Sequence, residues 1–225
     1  LTLAEKAWIK AKPVVYFSIH EQHAPYLAPL DGNGQVGVYQ SLIDALSEQT
    51  QQQYLPIWRS NDADLANLLN KQSIDFVIDP PSRLSKENTG IWSDALFWGH
   101  AVVVTRTETL VGNPVIAPKT AFFGTDSVRG EHRSVAHLFA ALIKREYDAV
   151  VMPIRLARYA MRAEHEGHLK LNGLYGREPL AYRWLISHHA KPFKSIVEKT
   201  LHALDPVASR AIFSIPGFGI EPRDN

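Results

Sequence analysis

Histidines supply the first candidate chemistry. The chain carries ten of them, several in pairs: His20 and His23 flank Glu21-Gln22, His165 and His168 flank Glu166-Gly167, and His188 precedes His189. Zinc ligands of the His-Glu-x-x-His type sit four apart on one helical face, with the glutamate as base, whereas both spaced pairs here are three apart. Surface histidines are therefore the expected reading. Adjacent residues on a strand face opposite sides, so His188 and His189 would not form one site there. Because imidazole titrates near neutrality, a pH response remains an expectation. Other reactive groups are scarce. Cysteine is absent, which removes disulfides, thiolate metal sites and thiol nucleophiles together. No Gly-x-Ser-x-Gly elbow and no P-loop occur. Gly32-x-Gly34-x-x-Gly37 has the spacing of a dinucleotide fingerprint, but a long loop after Ile19 separates it from its strand, and a turn is expected. No catalytic residue, metal ligand or cofactor follows from these residues.

Binding chemistry has better candidates. Tyr26 follows Pro25, which restricts its loop and suits an aromatic wall, the alternative being a tyrosine at the edge of the core; Trp58 and Trp92 are further walls or plain packing. Lys119 and Thr120 come just after a short strand expected at 115–117 and would offer backbone N–H groups and a hydroxyl to an anion, the alternative being a simple turn. Phe122 and Phe123 follow them as a plug for the same region. With 24 basic against 23 acidic residues and a net charge of +1, no global field draws the chain to nucleic acid or an anionic membrane. Partners must be argued from individual sites.

The elements that must position these residues alternate. Thr2 and Glu5 have capping-box spacing before a helix over 3–12, stopped by Pro13. A strand over 14–19, a long loop with Ala24-Pro25-Tyr26 and Asp31-Gly32-Asn33-Gly34, and a helix over 39–46 come next. The pattern repeats as a strand at 54–58, a helix over 62–70 and a buried strand at 74–78, implying a mostly parallel sheet covered on both faces. An apolar strand at 101–105 is expected to end the first lobe. Ser134 caps a helix through Ile143, a strand spans 148–152 and an amphipathic helix 154–166. Gly173, Gly176 and Pro179 punctuate a return to a strand at 182–186, closed by a helix over 193–204 and a last one ending near Phe213. The expected organisation is a leading helix at 1–12, a first lobe at 13–105 and 178–225, and a second lobe at 106–177. At 225 residues, 45% hydrophobic and 21% charged, the chain has room for two such lobes. No apolar run reaches the roughly 18–20 residues of a membrane span. Leu1 opens without signal-peptide features, so targeting and anchoring segments are expected outside this sequence.

Several stretches resemble a known family. Leu1-Thr2-x-x-Glu5-Lys6-x-Trp8-Ile9-x-x-x-Pro13, Ala24-Pro25-Tyr26, Asp31-Gly32 with Gly37-Val38, Ser73-Ile74-Asp75-Phe76-Val77 and Tyr147-Asp148-Ala149-Val150-Val151 are similar, in order and spacing, to the type II periplasmic solute-binding proteins. Within that family they resemble the Venus-flytrap sensor domains of BvgS/EvgS-type hybrid histidine kinases, and the leading segment favours a sensor over a transport receptor. The resemblance spans nearly the whole chain. It implies an α/β, two-lobed fold, a ligand in the cleft between lobes, hinge closure as output, a periplasmic location, membrane attachment through segments outside this sequence and room for a homodimer in the full receptor. The second lobe is expected to be reduced, because 115–148 has space for one full helix where the family has two, leaving 121–130 as loop or a single turn.

The family's amino-acid binders grip the ligand carboxylate with the arginine of a Thr-x-Glu-Arg stretch. The matching stretch here is Ser85-Lys86-Glu87-Asn88, which lacks that arginine, and the acidic residue for the ligand ammonium falls near Met152 or Pro153. A free α-amino acid is therefore not expected. Arg83, with Ser82 beside it and Asn88 five residues on, lies in a segment whose family counterpart lines the cleft. It would supply the anion contact from a new direction, the alternative being a solvated arginine. The expected ligand residues are Tyr26, Trp58, Ser82, Arg83, Asn88, Lys119 and Thr120. An importer's solute-binding subunit and an enzyme on the same scaffold, such as a cyclohexadienyl-dehydratase-like lyase or the domain carried by lytic transglycosylases, are the competing readings.

Overall fold

The computed structural model describes residues 1–21, 28–29, 35–60, 62–78, 80, 89–110, 119–123, 134–165 and 167–203. Helix α1 (Leu3–Ala11) opens the chain under a reciprocal cap. The Thr2 hydroxyl accepts the Glu5 N–H at 3.1 Å, and the Glu5 carboxylate accepts the Thr2 N–H at 2.7 Å, satisfying donors that the first turn leaves open. Then come β1 (Val14–His20), a ribbon of β2 (Ala28–Pro29) and β3 (Gln35–Val36), α2 (Val38–Thr50), β4 (Gln53–Arg59), α3 (Leu65–Asn70), β5 (Phe76–Ile78) and β6 (Ile91–Trp92). A second group follows: β7 (Phe97–Arg106), β8 (Thr120–Phe122), α4 (Val135–Ile143), β9 (Ala149–Pro153), α5 (Ile154–Glu164) and β10 (Leu169–Tyr182). The chain ends its described part with β11 (Trp184–Ile186), a 3-10 turn at His188–Ala190 and α6 (Pro192–Ala203). Contacts divide it into two units, Leu1–Leu96 with Tyr182–Asn225, and Phe97–Ala181.

The first unit holds a five-stranded sheet in the order β4-β1-β5-β11-β6. β1 runs parallel to both β4 and β5, and β11 is antiparallel to its neighbours β5 and β6. Alternate residues divide between the faces. One face carries Phe17, Phe76 and Trp184. Phe76 lies 5.2 Å from Phe17, 4.6 Å from Trp184 and 4.8 Å from Phe193 of α6, while Tyr39 of α2 reaches Trp184 at 5.7 Å and Trp8 of α1 reaches Phe193 at 5.6 Å. These rings form the main core, at separations that aromatic pairs favour. The other face carries Val77 and Leu185 beneath Leu65 and Leu69 of α3, with Ile74 in the cluster and Trp92 packed against it. Trp92 is thus a packing residue.

The second unit holds a four-stranded sheet in the order β10-β7-β9-β8. β9 is antiparallel to β7, with Val103 opposite Val151, and parallel to β8, with Thr120 beside Ala149. α4 and α5 pack on β7 and β9, and the alternating Val102, Val104, Val150 and Met152 are almost completely buried. The opposite face gathers Val103, Ala149 and Val151 with Tyr175 of β10, and Phe122 meets Tyr175 edge-on at 5.6 Å. Arg106 closes this unit from within: it donates to the carbonyls of Leu142 and Tyr147, both at 2.8 Å, and so satisfies the end of α4.

Three elements differ from the sequence reading. The strand expected at 101–105 to finish the first lobe begins at Phe97 and runs in the second sheet, paired with β9. Gly173, Gly176 and Pro179 do not interrupt the chain but lie inside the 14-residue β10, where the glycines take φ values of +88° and +73°. Such values cost a glycine nothing extra, so the strand is re-aimed without being ended. α3 begins at Leu65 and not at residue 62, and Asp62 pairs with Arg59 at 2.6 Å.

Candidate functional site

In open α/β sheets, ligands bind beyond the carboxyl ends of the strands, where successive connections leave in opposite directions. The first sheet has that switch at β1: the next strand, β4, lies on one side of it, and the strand after that, β5, on the other. His20 ends β1 and stands in register with Arg59, which ends β4. The His20 Nε2 lies 3.0 Å from the Ser60 carbonyl; a carbonyl only accepts, so this nitrogen carries the ring proton. Arg59, with 9% of its side chain exposed, donates to Asp62 at 2.6 Å and to the buried Ser18 hydroxyl at 3.2 Å. The Glu21 N–H donates to the Arg59 carbonyl at 2.9 Å. Here the described residues offer a neutralised Arg–Asp pair and an imidazole donor, held by the paired strand ends.

Trp58 is half-buried and lies in register with Ile19, hence on the face opposite to Arg59 and His20. Tyr26, Ser82, Arg83 and Asn88 lie outside the described residues, as do the strand expected at 115–117 and the last helix expected near Phe213. In the second unit Thr120 opens β8 and is half-buried, while Lys119 is exposed and its carbonyl accepts the Asp148 N–H at 2.9 Å. Met152 is buried, and Pro153 ends β9 as the residue before α5, so β9 itself places no acidic side chain at its carboxyl end.

Two residues that the sequence reading passed over also lie at that carboxyl end. Trp98 of β7 is 54% exposed, and Arg155, in the first turn of α5, donates to the Trp98 carbonyl at 3.1 Å. The hydrogen bond to the Trp98 backbone fixes a cation beside an exposed aromatic residue in the chain, residue types that suit a planar anion. The signal for Arg155 was its place two residues beyond a strand end.

Ser187, His189 and Asp75 come together in the first unit with the look of a nucleophile relay: Ser187 Oγ lies 2.5 Å from His189 Nδ1, and His189 Nε2 lies 2.8 Å from Asp75 Oδ1. Ser187 is only 2% exposed, which closes it to a substrate. No group of three or more candidate metal ligands occurs among the described residues, and no described helix is long and apolar enough to cross a membrane.

No protein-family model and no curated protein sequence matches the chain. Solved structures do. The chain has the two-lobed α/β fold of the Venus-flytrap, type II periplasmic solute-binding proteins. It is similar in particular to the periplasmic VFT2 domain of BvgS from Bordetella pertussis, with a TM-score of 0.80 at 16% identity over 94% of this chain and 97% of that one. Against the whole BvgS periplasmic domain the TM-score is again 0.80 at 17% identity, over 99% of this chain and 46% of that one. The amino acid ABC transporter substrate-binding protein AbpA from Streptococcus pneumoniae, bound to L-arginine, matches with a TM-score of 0.70 at 14% identity, over 93% of this chain and 96% of that one.

Proposed function

We propose that this chain is the extracytoplasmic sensing domain of a membrane-bound signalling receptor, taking a small carboxylate between its two lobes, with lobe closure as the output. The observation that carries the reading is the end-to-end likeness to the BvgS domain, 94% of one chain against 97% of the other. The leading helix, which the resemblance ties to sensors, supports it: Glu5 is buried and receives Ser195 at 2.5 Å and Lys199 at 2.8 Å from α6, so α1 is a working part of the unit.

The ligand class follows from what is missing as well as from what is present. Asn88 replaces the arginine that grips an α-carboxylate, and Met152 and Pro153 offer nothing to an ammonium group. Arg83 and Arg155 are the guanidinium groups assigned to the anion, with Ser82, Asn88, Lys119 and Thr120 as polar neighbours and Tyr26, Trp58 and Trp98 as aromatic walls. Closure is driven only by the difference in the ligand's affinity for the closed and open forms.

A thermal-shift screen of small mono- and dicarboxylates against free amino acids tests the ligand reading. A carboxylate at 100 times its dissociation constant stabilises the domain by about 2.7 kcal/mol, and Arg83→Ala weakens that binding. Stabilisation by amino acids alone, or unchanged affinity in the variant, refutes the assignment. The likeness to AbpA favours a second reading, the solute-binding subunit of an importer. The gene decides between them: a membrane span followed by a cytoplasmic output domain supports the receptor, and a free subunit encoded beside a permease overturns it.

A further inference from the structure

The polar chain inside the first unit has a property that its distances alone determine. Asp75 is fully buried; its Oδ2 accepts the Tyr16 N–H at 2.8 Å, and its Oδ1 faces both the Lys12 ammonium at 3.0 Å and His189 Nε2 at 2.8 Å. A ring nitrogen against a carboxylate carries its proton, so His189 Nε2 is the N–H in every state in which Asp75 is charged. The question moves to Nδ1. Ser187 Oγ has one hydrogen and two acceptors in reach, His189 Nδ1 at 2.5 Å and the Leu69 carbonyl at 3.1 Å.

With a neutral ring, Nδ1 is a bare acceptor, and the hydroxyl must donate to it; the Leu69 carbonyl then keeps backbone N–H partners at the end of α3, Gln72 at 3.2 Å among them. With a second proton on the ring, Nδ1–H donates to Ser187 Oγ, and the hydroxyl turns to Leu69. Every group is satisfied in both arrangements, and a single proton selects between them. Leu69 lies in α3, Ser187 directly follows β11, and the Ser187 N–H donates to the Asp75 carbonyl at 2.8 Å. β11 is the strand on which the chain re-enters this unit, one residue after β10 ends.

We propose that Ser187, His189 and Asp75 form a proton-operated catch, in which uptake of a proton by His189 turns the Ser187 hydroxyl onto the Leu69 carbonyl and ties the end of the returning strand β11 to α3. Among the described residues, the charged and titratable groups tied to this chain are Asp75 before β5, which faces His189, Lys12 after α1, which faces Asp75, and Tyr54 of β4, whose phenol is pushed up by its burial and by the charge of Asp75; His188 and Lys191 are near in sequence. α3 contributes the Leu69 carbonyl. The catch goes beyond the ligand reading and stands without it, since all its members lie in one unit.

The test is a pH titration of the whole chain by NMR between about pH 8 and pH 5, following the His189 ring nitrogens and the Leu69 carbonyl carbon, together with amide exchange along β11. The result expected is protonation of Nδ1 with Nε2 protonated throughout, movement of the Leu69 carbonyl with the same midpoint, and protection of the β11 amides rising about threefold once the intrinsic pH dependence is removed. In Ser187→Ala the ring still titrates while Leu69 and β11 stay unmoved. A Leu69 carbonyl that is constant while His189 titrates, a ring that does not titrate in this range, or the same movement in Ser187→Ala overturns the proposal. If Ser187→Ala does not fold, the wild-type carbonyl titration decides alone.

Discussion

Glu5→Gln removes a negative charge from a site built around it. The carboxylate belongs to a residue only 3% exposed and accepts from the Thr2 N–H, the Ser195 hydroxyl and the Lys199 ammonium. Lys199 and then Ser195 hold the carboxyl down from 4.5 to about 2, against the opposing effect of burial. A drop of that size, at about 1.4 kcal/mol for each unit, sets a ceiling of about 3 kcal/mol on what the ionised group adds to folding. Lys199 is 45% exposed, so water screens the largest contribution, and about 1–2 kcal/mol is the net expected. The sign follows from the depressed value. The contribution is complete above the unfolded group's 4.5 and drains away as pH falls through about 2. Glutamine keeps the shape of the cap and loses the charge. Urea denaturation of both proteins, at neutral pH and in steps to about pH 2.5, therefore gives a deficit of about 1–2 kcal/mol that shrinks steadily below about pH 4.5. A variant as stable as the wild type at neutral pH, or one whose deficit is the same in acid, refutes the reasoning.

Phe193→Ala empties the ring contacted by Trp8, Tyr54, Phe76 and Trp184; a loss of about 3–5 kcal/mol in urea denaturation is expected, and one below about 1 kcal/mol would mean that this cluster is not the core. Gly90→Ala places a Cβ 2.5 Å from the Ile186 carbonyl oxygen, so the backbone beside the β6–β11 pairing must shift. A cost of about 1–3 kcal/mol follows, and an unchanged melting temperature would contradict that close approach.

The parts of the fold that could be read in advance were those whose causes are local. Thr2 and Glu5 cap α1 across three residues, Ser134 caps α4 by accepting the His137 N–H at 3.2 Å, and Pro13 stops α1 by its own chemistry. β10 went the other way for a physical reason. Gly173, Gly176 and Pro179 are turn residues by intrinsic preference, but a neighbouring strand, β7, satisfies the backbone there, and glycine's tolerance of positive φ lets the strand continue. The ties that lock the units were invisible because nothing local points to them: His189 meets Asp75 across 114 residues, and Arg106 reaches Tyr147 across 41.

The same division explains why the fold could be read further than the site. At 16% identity the fold is still shared with the BvgS domain, at a TM-score of 0.80, because any apolar residue of suitable size can hold an alternating face together. A binding residue has no such freedom and no such pattern. Trp98 lies upstream of the strand expected at 101–105, and only the structure shows it exposed near the start of β7. Trp58 was legible by type, while its face was not, since that depends on its register with Ile19. Arg155 shows what position adds to type: a cation in the first turn after a strand stands where the carboxyl edge of a sheet receives ligands. Its hydrogen bond to the backbone carbonyl of the exposed Trp98 fixes it at that edge, which residue type alone could not have shown.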